Sequence, residues 1–465
     1  MMNKSEKQGA LWLRDPLRAA MTAHVTGAPL CALGAVLCAA FYAAALVLCG
    51  EMQGVQGIAL AGTLGVALLM LGAWRALRGK EVIVLLCAAL LAMAAVGAHL
   101  VMLGIRPGRM SNVLQPMLDG MWNYELVTAM AWEENAWSGV YLIVMGLVSR
   151  LETFPQMTAL KLFDLVCQCI AALAVLRLAL GRGARPLGAV AAMFACVLAP
   201  TMLLNAGCWA QCDATFAMFT LWGLALLLED HKIAGSVLWG VAVATKLQSA
   251  FLFPLLIVFF MRDKVSLRHI VLLFAAFVLS QSAILLDGLG FESLITRYAQ
   301  QLAIARDAAI LTDHAPGVYG LMTVASVREF SGMGLYLGIA SALLVVAAML
   351  RARRPLDRDT YMLAALLLAA GLPLILPQMN ARCLYLAGML AFACANSPRR
   401  MLAAGMLEFI SLCSYMEAIF SHSVLPMSVL SILAIGVAAL IAQELIEILT
   451  GRGGAKEALA HENQA

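Results

Sequence analysis

Residues 81–104 read EVIVLLCAALLAMAAVGAHLVMLG. One glutamate opens the stretch, one histidine interrupts it, and every other residue is apolar or glycine. The hydrocarbon core of a bilayer takes about 20 such residues as a helix. A strand of a membrane barrel alternates apolar and polar residues over about ten positions, and nothing alternates here. Runs of the same kind recur outward in both directions, rich in Leu, Ala and Met. Of 465 residues, 63% are hydrophobic and 12% charged, and the mean hydropathy is +0.89. A soluble domain carries about 25% charged residues, so neither a soluble globular protein nor a disordered chain fits. A net charge of +4 supplies no basic surface for nucleic acid. The reading is an all-α polytopic membrane protein.

The runs place about fourteen spans (eleven to fourteen), near 29–50, 54–74, 81–104, 157–180, 186–204, 213–228, 233–246, 248–261, 268–286, 332–350, 358–377, 382–397, 401–420 and 424–449. The pair 233–246 and 248–261 is short for a bilayer and reads as a shallow hairpin held among other helices. Lys and Arg collect on cytoplasmic loops, and most of them do so when the N-terminus is inside. The exceptions on the outer side are all arginines: Arg106, Arg109, Arg150, Arg297, Arg306, Arg328 and Arg382. This predicts a multi-pass protein of the cytoplasmic membrane with both termini inside. Residues 1–28 form an N-terminal cytoplasmic segment before an uncleaved first helix, 29–104 the first helices, and 105–156 a long outer loop. Residues 157–449 form the main bundle with a second outer loop at 287–331, and 450–465 a polar cytoplasmic tail. The first loop holds Trp122, Trp132, Trp137, Glu125, Glu133 and Glu134. Its apolar stretch 138–149 is too short to span and reads as an interfacial helix.

Twelve cysteines lie mostly inside apolar runs, where Cys acts as a small hydrophobe. Cys208 and Cys212 lack the second pair or the histidine that a zinc site needs. Charges inside spans are functional candidates by default. Lys161 and Asp164 share one helix face and are expected to pair. Glu408 and Glu417 are expected to bond between helices or sit near water. Lys246 and Gln248 lie at the turn of the short hairpin, where a lysine either contacts a phosphate or snorkels to the interface.

Two loops carry the densest polar signal. The first, Asn205-Ala-Gly-Cys-Trp-Ala-Gln-Cys-Asp213, puts Trp209, Gln211 and Asp213 between two spans. Asp213 either caps the next helix or lines a polar site. The second is Pro373-Leu-Ile-Leu-Pro-Gln-Met-Asn-Ala-Arg-Cys-Leu-Tyr385. Its prolines are expected to break the helix, and Arg382 is suited to two-pronged phosphate binding.

At these residues the chain resembles the bacterial polytopic glycosyltransferases of the GT-C superfamily, which use polyprenyl-phosphate sugars. The resembling region covers roughly residues 105–397. The family pattern Trp-Gly-Gln-x-Asp is similar to Trp209-Ala-Gln-Cys-Asp213, and Lys-x-Gln before a proline-containing helix to Lys246-Leu-Gln248 with Pro254. An Asn-Ala-Pro-Asn-like stretch is matched by His314-Ala-Pro-Gly317 with Tyr319. Pro-x-Met-His-Glu-Arg-Tyr is matched by Pro377-Gln-Met-Asn-Ala-Arg-Cys383. There Asn380 stands for His, Ala381 for Glu and Cys383 for Tyr, and Arg382 alone keeps its chemistry. The family's Asp-Tyr-x-x-x-Leu-x-Pro-Trp, aligned on Leu114 and Pro116, puts Arg109 where the base Asp belongs and Met117 at the Trp. The next carboxylate is Asp119.

The resemblance implies a bundle with two long outer loops carrying interfacial helices. It implies an inverting transfer from a polyprenyl-phosphate-linked sugar donor to a glycan or lipid acceptor, without a sugar nucleotide. A carboxylate takes the acceptor proton and cations hold the leaving phosphate. Asp119 and Asp213 are the catalytic candidates, with Glu125 behind them. Arg382, Lys246, Arg297 and Arg306 are the phosphate candidates. Gln248, Trp209, Gln211, Arg109, His314 and Asn380 complete the substrate-binding set. No cofactor is called for, and a divalent cation stays open. Two alternatives remain: a catalytically degenerate relative that binds a lipid-linked glycan or a partner enzyme, and a transporter or flippase of an anionic lipid-linked solute.

Overall fold

The computed structural model describes residues 55–77, 82–123, 138–151, 155–282, 311–322, 327–352 and 354–451. These residues are helical almost throughout. The chain opens with α1 (Val55–Ala76), α2 (Val82–Val101) and a 3₁₀ turn, Met102–Gly104. Two short helices follow, α3 (Gly108–Asn123) and α4 (Gly139–Ser149), then the long α5 (Gln156–Gly181). Next come α6 (Pro186–Leu198) and α7 (Pro200–Leu203), the latter running into a π-helical turn, Leu204–Trp209. α8 (Asp213–Leu228), α9 (Lys232–Thr245), a 3₁₀ turn (Leu247–Leu252), α10 (Phe253–Met261) and α11 (Leu267–Ser280) make a run of shorter elements. After β1 (Thr312–Asp313) come α12 (Val327–Arg351), α13 (Arg358–Ile375), β2 (Met379–Asn380), α14 (Tyr385–Cys394), α15 (Pro398–Phe420) and α16 (Met427–Thr450).

Seven of the described helices are long and apolar enough to cross a membrane: α1, α2, α5, α12, α13, α15 and α16. The α6–α7 pair, bent by 47°, would make an eighth. The remaining apolar helices of the expected fourteen are shorter. α8 has 16 residues and α14 only 10, about 24 and 15 Å at 1.5 Å per residue. The expected span 29–50 lies outside the described residues. Outward faces are apolar, as lipid requires: on α12, Leu335, Tyr336, Leu337, Ile339, Leu343 and Leu344 are exposed. These helices define an all-α membrane protein.

α5 stands at the centre. It is apolar on nearly every side, as a helix buried all round must be. It packs on α1, α6, α8 and α14. α4, expected as interfacial, buries Tyr141, Leu142 and Met145 against α3, α5 and α9. Where α9 crosses α11, Gly240 lets the backbones touch. A Cβ there would collide with the Leu273 carbonyl oxygen and stand 2.9 Å from Ala276 Cβ. Overpacking costs about 1–3 kcal/mol, so Gly240→Ala is expected to lower the melting temperature of the detergent-purified protein. An unchanged transition would mean that the two helices are not in backbone contact.

One local expectation is corrected. Lys161 does not pair with Asp164. Its ammonium donates to the carbonyl oxygens of Leu103 and Ile105, at 3.0 and 2.6 Å. Those carbonyls close the end of α2, where a helix leaves acceptors unused and a cation is favoured. Asp164 is fully buried with neither oxygen hydrogen-bonded. The helix break falls at the second of the two prolines in the Pro373–Tyr385 stretch. α13 runs through Pro373 and ends at Ile375, with Leu376 as its C-cap just before Pro377. Glu408 does bond between helices, accepting from Thr201 N and Oγ1 at 2.8 Å.

Candidate functional site

The π-helical turn ends at Ala210, whose φ of +49° is left-handed. This conformation strains any residue with a Cβ, and the resembling pattern has glycine here. The turn is pinned from two sides. Tyr141 of α4 donates to Ala210 O at 3.3 Å. Gly207 lies so close to α2 that a Cβ would stand 3.3 Å from His99 O. The reversal delivers Gln211 and Asp213 inward at the start of α8.

The Asp213 side chain is 0% exposed. It does not cap α8. Its Oδ1 pairs with Lys246 Nζ, and its Oδ2 accepts from Asn205 Nδ2 at 2.9 Å and Arg382 Nη1 at 3.3 Å. Lys246 is therefore anchored rather than snorkelling, and its ammonium also lies 5.2 Å from the Phe216 ring centroid. Arg382 Nη1 donates to Gln211 Oε1 as well, and the guanidinium covers the Trp209 ring at 5.1 Å. Trp209 meets Tyr415 edge-on, with centroids 5.5 Å apart. The Tyr415 hydroxyl accepts from Asn205 Nδ2 at 2.9 Å. Two cations thus share one carboxylate, which leaves the cluster one positive charge in a largely desolvated place. The Lys246 and Arg382 side chains are 16% and 18% exposed, so the surplus charge lies at the edge of the cluster. Arg382 Nε is buried without a partner.

A second layer flanks Arg382. β1 and β2 pair in parallel, Thr312 with Met379 and Asp313 with Asn380. Asn380 Oδ1 accepts from the Arg382 N–H at 3.1 Å. His314 bridges to Asn380, and its Nδ1 is 3.3 Å from Glu417 Oε1. Gln248 is half-buried in the 3₁₀ turn after Lys246, with its Oε1 unbonded.

Of the residues singled out in the sequence, the structure brings Trp209, Gln211, Asp213, Lys246 and Arg382 into one cluster, with Asn380 and His314 beside it. Asp119 lies elsewhere: it is exposed on α3 and accepts from Gln115 at 2.9 Å. The opposite face of α3, through Leu114, Leu118 and Met121, shares a core with Trp209 and Tyr415. Arg109 is on α3 as well. Arg297 and Arg306, like Glu125, fall outside the described residues. Tyr415 and Tyr141 are site residues that no motif marked, and Asn205 opens the polar loop without being one of the candidates. Among the described residues no three His, Cys, Asp or Glu side chains converge to hold a metal. Burial pushes the Cys212 thiol up to about 11, which keeps it protonated near neutral pH. No protein-family model matches the chain, and no curated protein matches it.

Proposed function

We propose that this chain is a glycosyltransferase of the GT-C kind. It takes a sugar from a polyprenyl-phosphate donor and passes it to a glycan or lipid acceptor at the outer face of the cytoplasmic membrane. On this reading the shorter apolar helices complete a bundle of about fourteen spans with both termini inside. The observation that carries it is the pair Lys246 and Arg382 on the single carboxylate of Asp213. Their surplus charge and the unused Arg382 Nε suit a phosphate, which Arg grips as a fork and Lys as a point charge.

A groove next to the cluster fits the rest of such a donor. It holds about 700 Å³ and is lined almost wholly by apolar side chains from the 3₁₀ turn, α10, α11, α12 and α13. Leu247 and Leu376, at its wall, adjoin Lys246 and Pro377 in the chain. An isoprenoid tail lying there would bring its phosphate toward the two cations.

One observation favours a second reading, a binding protein without catalysis. Both Asp213 oxygens are engaged, and Asn380 and Ala381 stand where the resembling family has His and Glu. Mass spectrometry of surface and lipid-linked glycans, comparing cells with and without the gene, separates the two. A glycan lost with the gene and regained with the wild type supports transfer. Lys246→Ala is expected to weaken polyprenyl-phosphate binding by about tenfold or more, since a hydrogen bond to a charged group is worth about 1.5–3 kcal/mol. Equal binding by the variant would remove the cluster as the phosphate site.

A further inference from the structure

The polar cluster hangs from a bend in the chain. α6 meets the segment Pro200–Trp209 at 47°, and that segment leads to the reversal at Ala210. Its place therefore sets where Gln211 and Asp213 emerge. The bend also leaves backbone groups without their usual helical partners. Pro200 has no N–H, and the N–H of Thr201 donates to a side chain of another helix.

That side chain is Glu408, half-buried near the middle of α15, a helix long and apolar enough to cross a membrane. A carboxylate at such a depth is costly and marks function by default. Thr201 N donates to Oε1 at 2.8 Å, and the Thr201 hydroxyl lies 2.8 and 2.7 Å from the two oxygens. Both oxygens are thus spent on one residue at the bend. About two turns further along α15, the Tyr415 hydroxyl accepts from Asn205 Nδ2 at 2.9 Å. The same amide donates to Asp213 Oδ2, also at 2.9 Å. Thr201 and Asn205 are about one turn apart on the bent segment. α15 therefore grips this segment twice, and the second grip ends on the carboxylate that Lys246 and Arg382 share.

Resting on that reading, we propose that Glu408 is a positioning residue for the phosphate site. It fixes the bend against α15, so that Asn205 presents Asp213 to Lys246 and Arg382 and the two cations are held at the place where the phosphate lies. Glu408 acts through the hydrogen bonds it accepts from Thr201, and neither its charge nor a proton transfer enters. Asn205 carries the placement from the bend to Asp213.

The test uses the full chain purified in detergent, with two readouts: binding of polyprenyl phosphate, and melting temperature in a double-mutant cycle of Glu408→Ala with Asp213→Asn. Residues that modulate a ligand without touching it change its binding by about twofold to thirtyfold, and Glu408→Ala is expected to weaken binding within that range. Glu408→Gln still offers an acceptor to the Thr201 N–H and is expected to recover most of the loss. Thr201→Val keeps the N–H, loses the hydroxyl and is expected to fall between them. Stability losses at distant sites without shared partners add. Glu408→Ala with Asp213→Asn is expected to lose less than the sum of the single changes, because both disturb one arrangement. Arg400→Met, toward the other end of the same helix, is the control, with binding at wild-type strength and a loss that adds to that of Asp213→Asn. An additive cycle for Glu408→Ala overturns the assignment. So does wild-type binding by Glu408→Ala where Lys246→Ala has lost it, and so does a Glu408→Gln no better than Glu408→Ala. Binding unaffected by Lys246→Ala overturns the phosphate reading instead, and the cycle still decides whether Glu408 acts on Asp213. If Glu408→Ala does not accumulate, Thr201→Val takes its place in both readouts.

Discussion

Asp213→Asn is expected to destabilise the protein by about 3–5 kcal/mol, the usual cost of removing one partner from a buried ion pair. The physical reason is the arrangement of charges. Lys246 and Arg382 reach the same carboxylate from different parts of the chain, and each is mostly withdrawn from water. Their attraction to Asp213 compensates both desolvation costs and their mutual repulsion. The asparagine keeps the shape and can still meet Asn205, but two cations then face each other with no anion. The expected result is a melting temperature lowered by several degrees in detergent, with part of the loss recovered in Asp213→Asn/Lys246→Met, where the charge count is restored. A transition unmoved by Asp213→Asn would show that the cations are not held by this carboxylate. A double variant as unstable as the sum of the single changes would show that they do not act through it together.

Much of this cluster is legible in the sequence, because polar residues in an apolar chain stand out one by one. Asp213 marks the start of α8 to the residue, and Lys246 marks the end of α9. Trp209, Gln211 and Arg382 are visible in the same way. Their meeting is not legible from spacing, since it depends on a π-helical turn and a left-handed alanine that reverse the chain. Tyr415 looks like any aromatic in an apolar helix until Asn205 is seen to donate to it. The strand pair is invisible to any periodicity argument: it has two residues on each side, and each pairs with a residue 67 positions away in sequence. Lys161 shows the limit of reasoning within one helix. Its neighbour Asp164 is in reach, yet the open carbonyls at the end of α2 take the ammonium. The number of spans is legible only in part. Apolarity marks where a segment avoids water, and a helix enclosed by protein is as apolar as one enclosed by lipid.

Arg400→Met is expected to cost a comparable amount, about 3–5 kcal/mol, without touching the site. Arg400 is buried near the start of α15 and forks onto Asp359 of α13, with both bonds at 2.7 Å. Its Nε donates to Glu444 of α16 at 2.6 Å. Arg182, just after α5, joins the same Asp359 at 3.1 Å and also donates to Ala393 O of α14. One network therefore ties the ends of five helices. Removing Arg400 leaves Glu444 close to Asp359 with the fork gone and only Arg182 on the aspartate. Arg400→Lys keeps the charge but cannot make the planar fork, so its melting temperature is expected to fall between those of the wild type and Arg400→Met. Position on α15 separates this effect from function. Arg400 and Tyr415 are fifteen residues apart on one helix, about 22 Å at 1.5 Å per residue, so the network braces the end of the bundle remote from the cationic cluster. Polyprenyl-phosphate binding by Arg400→Met, measured well below its melting temperature, is therefore expected to match the wild type. A binding loss there would mean that the two ends of α15 are coupled, and that the ion-pair network shapes the site as well as holding the bundle.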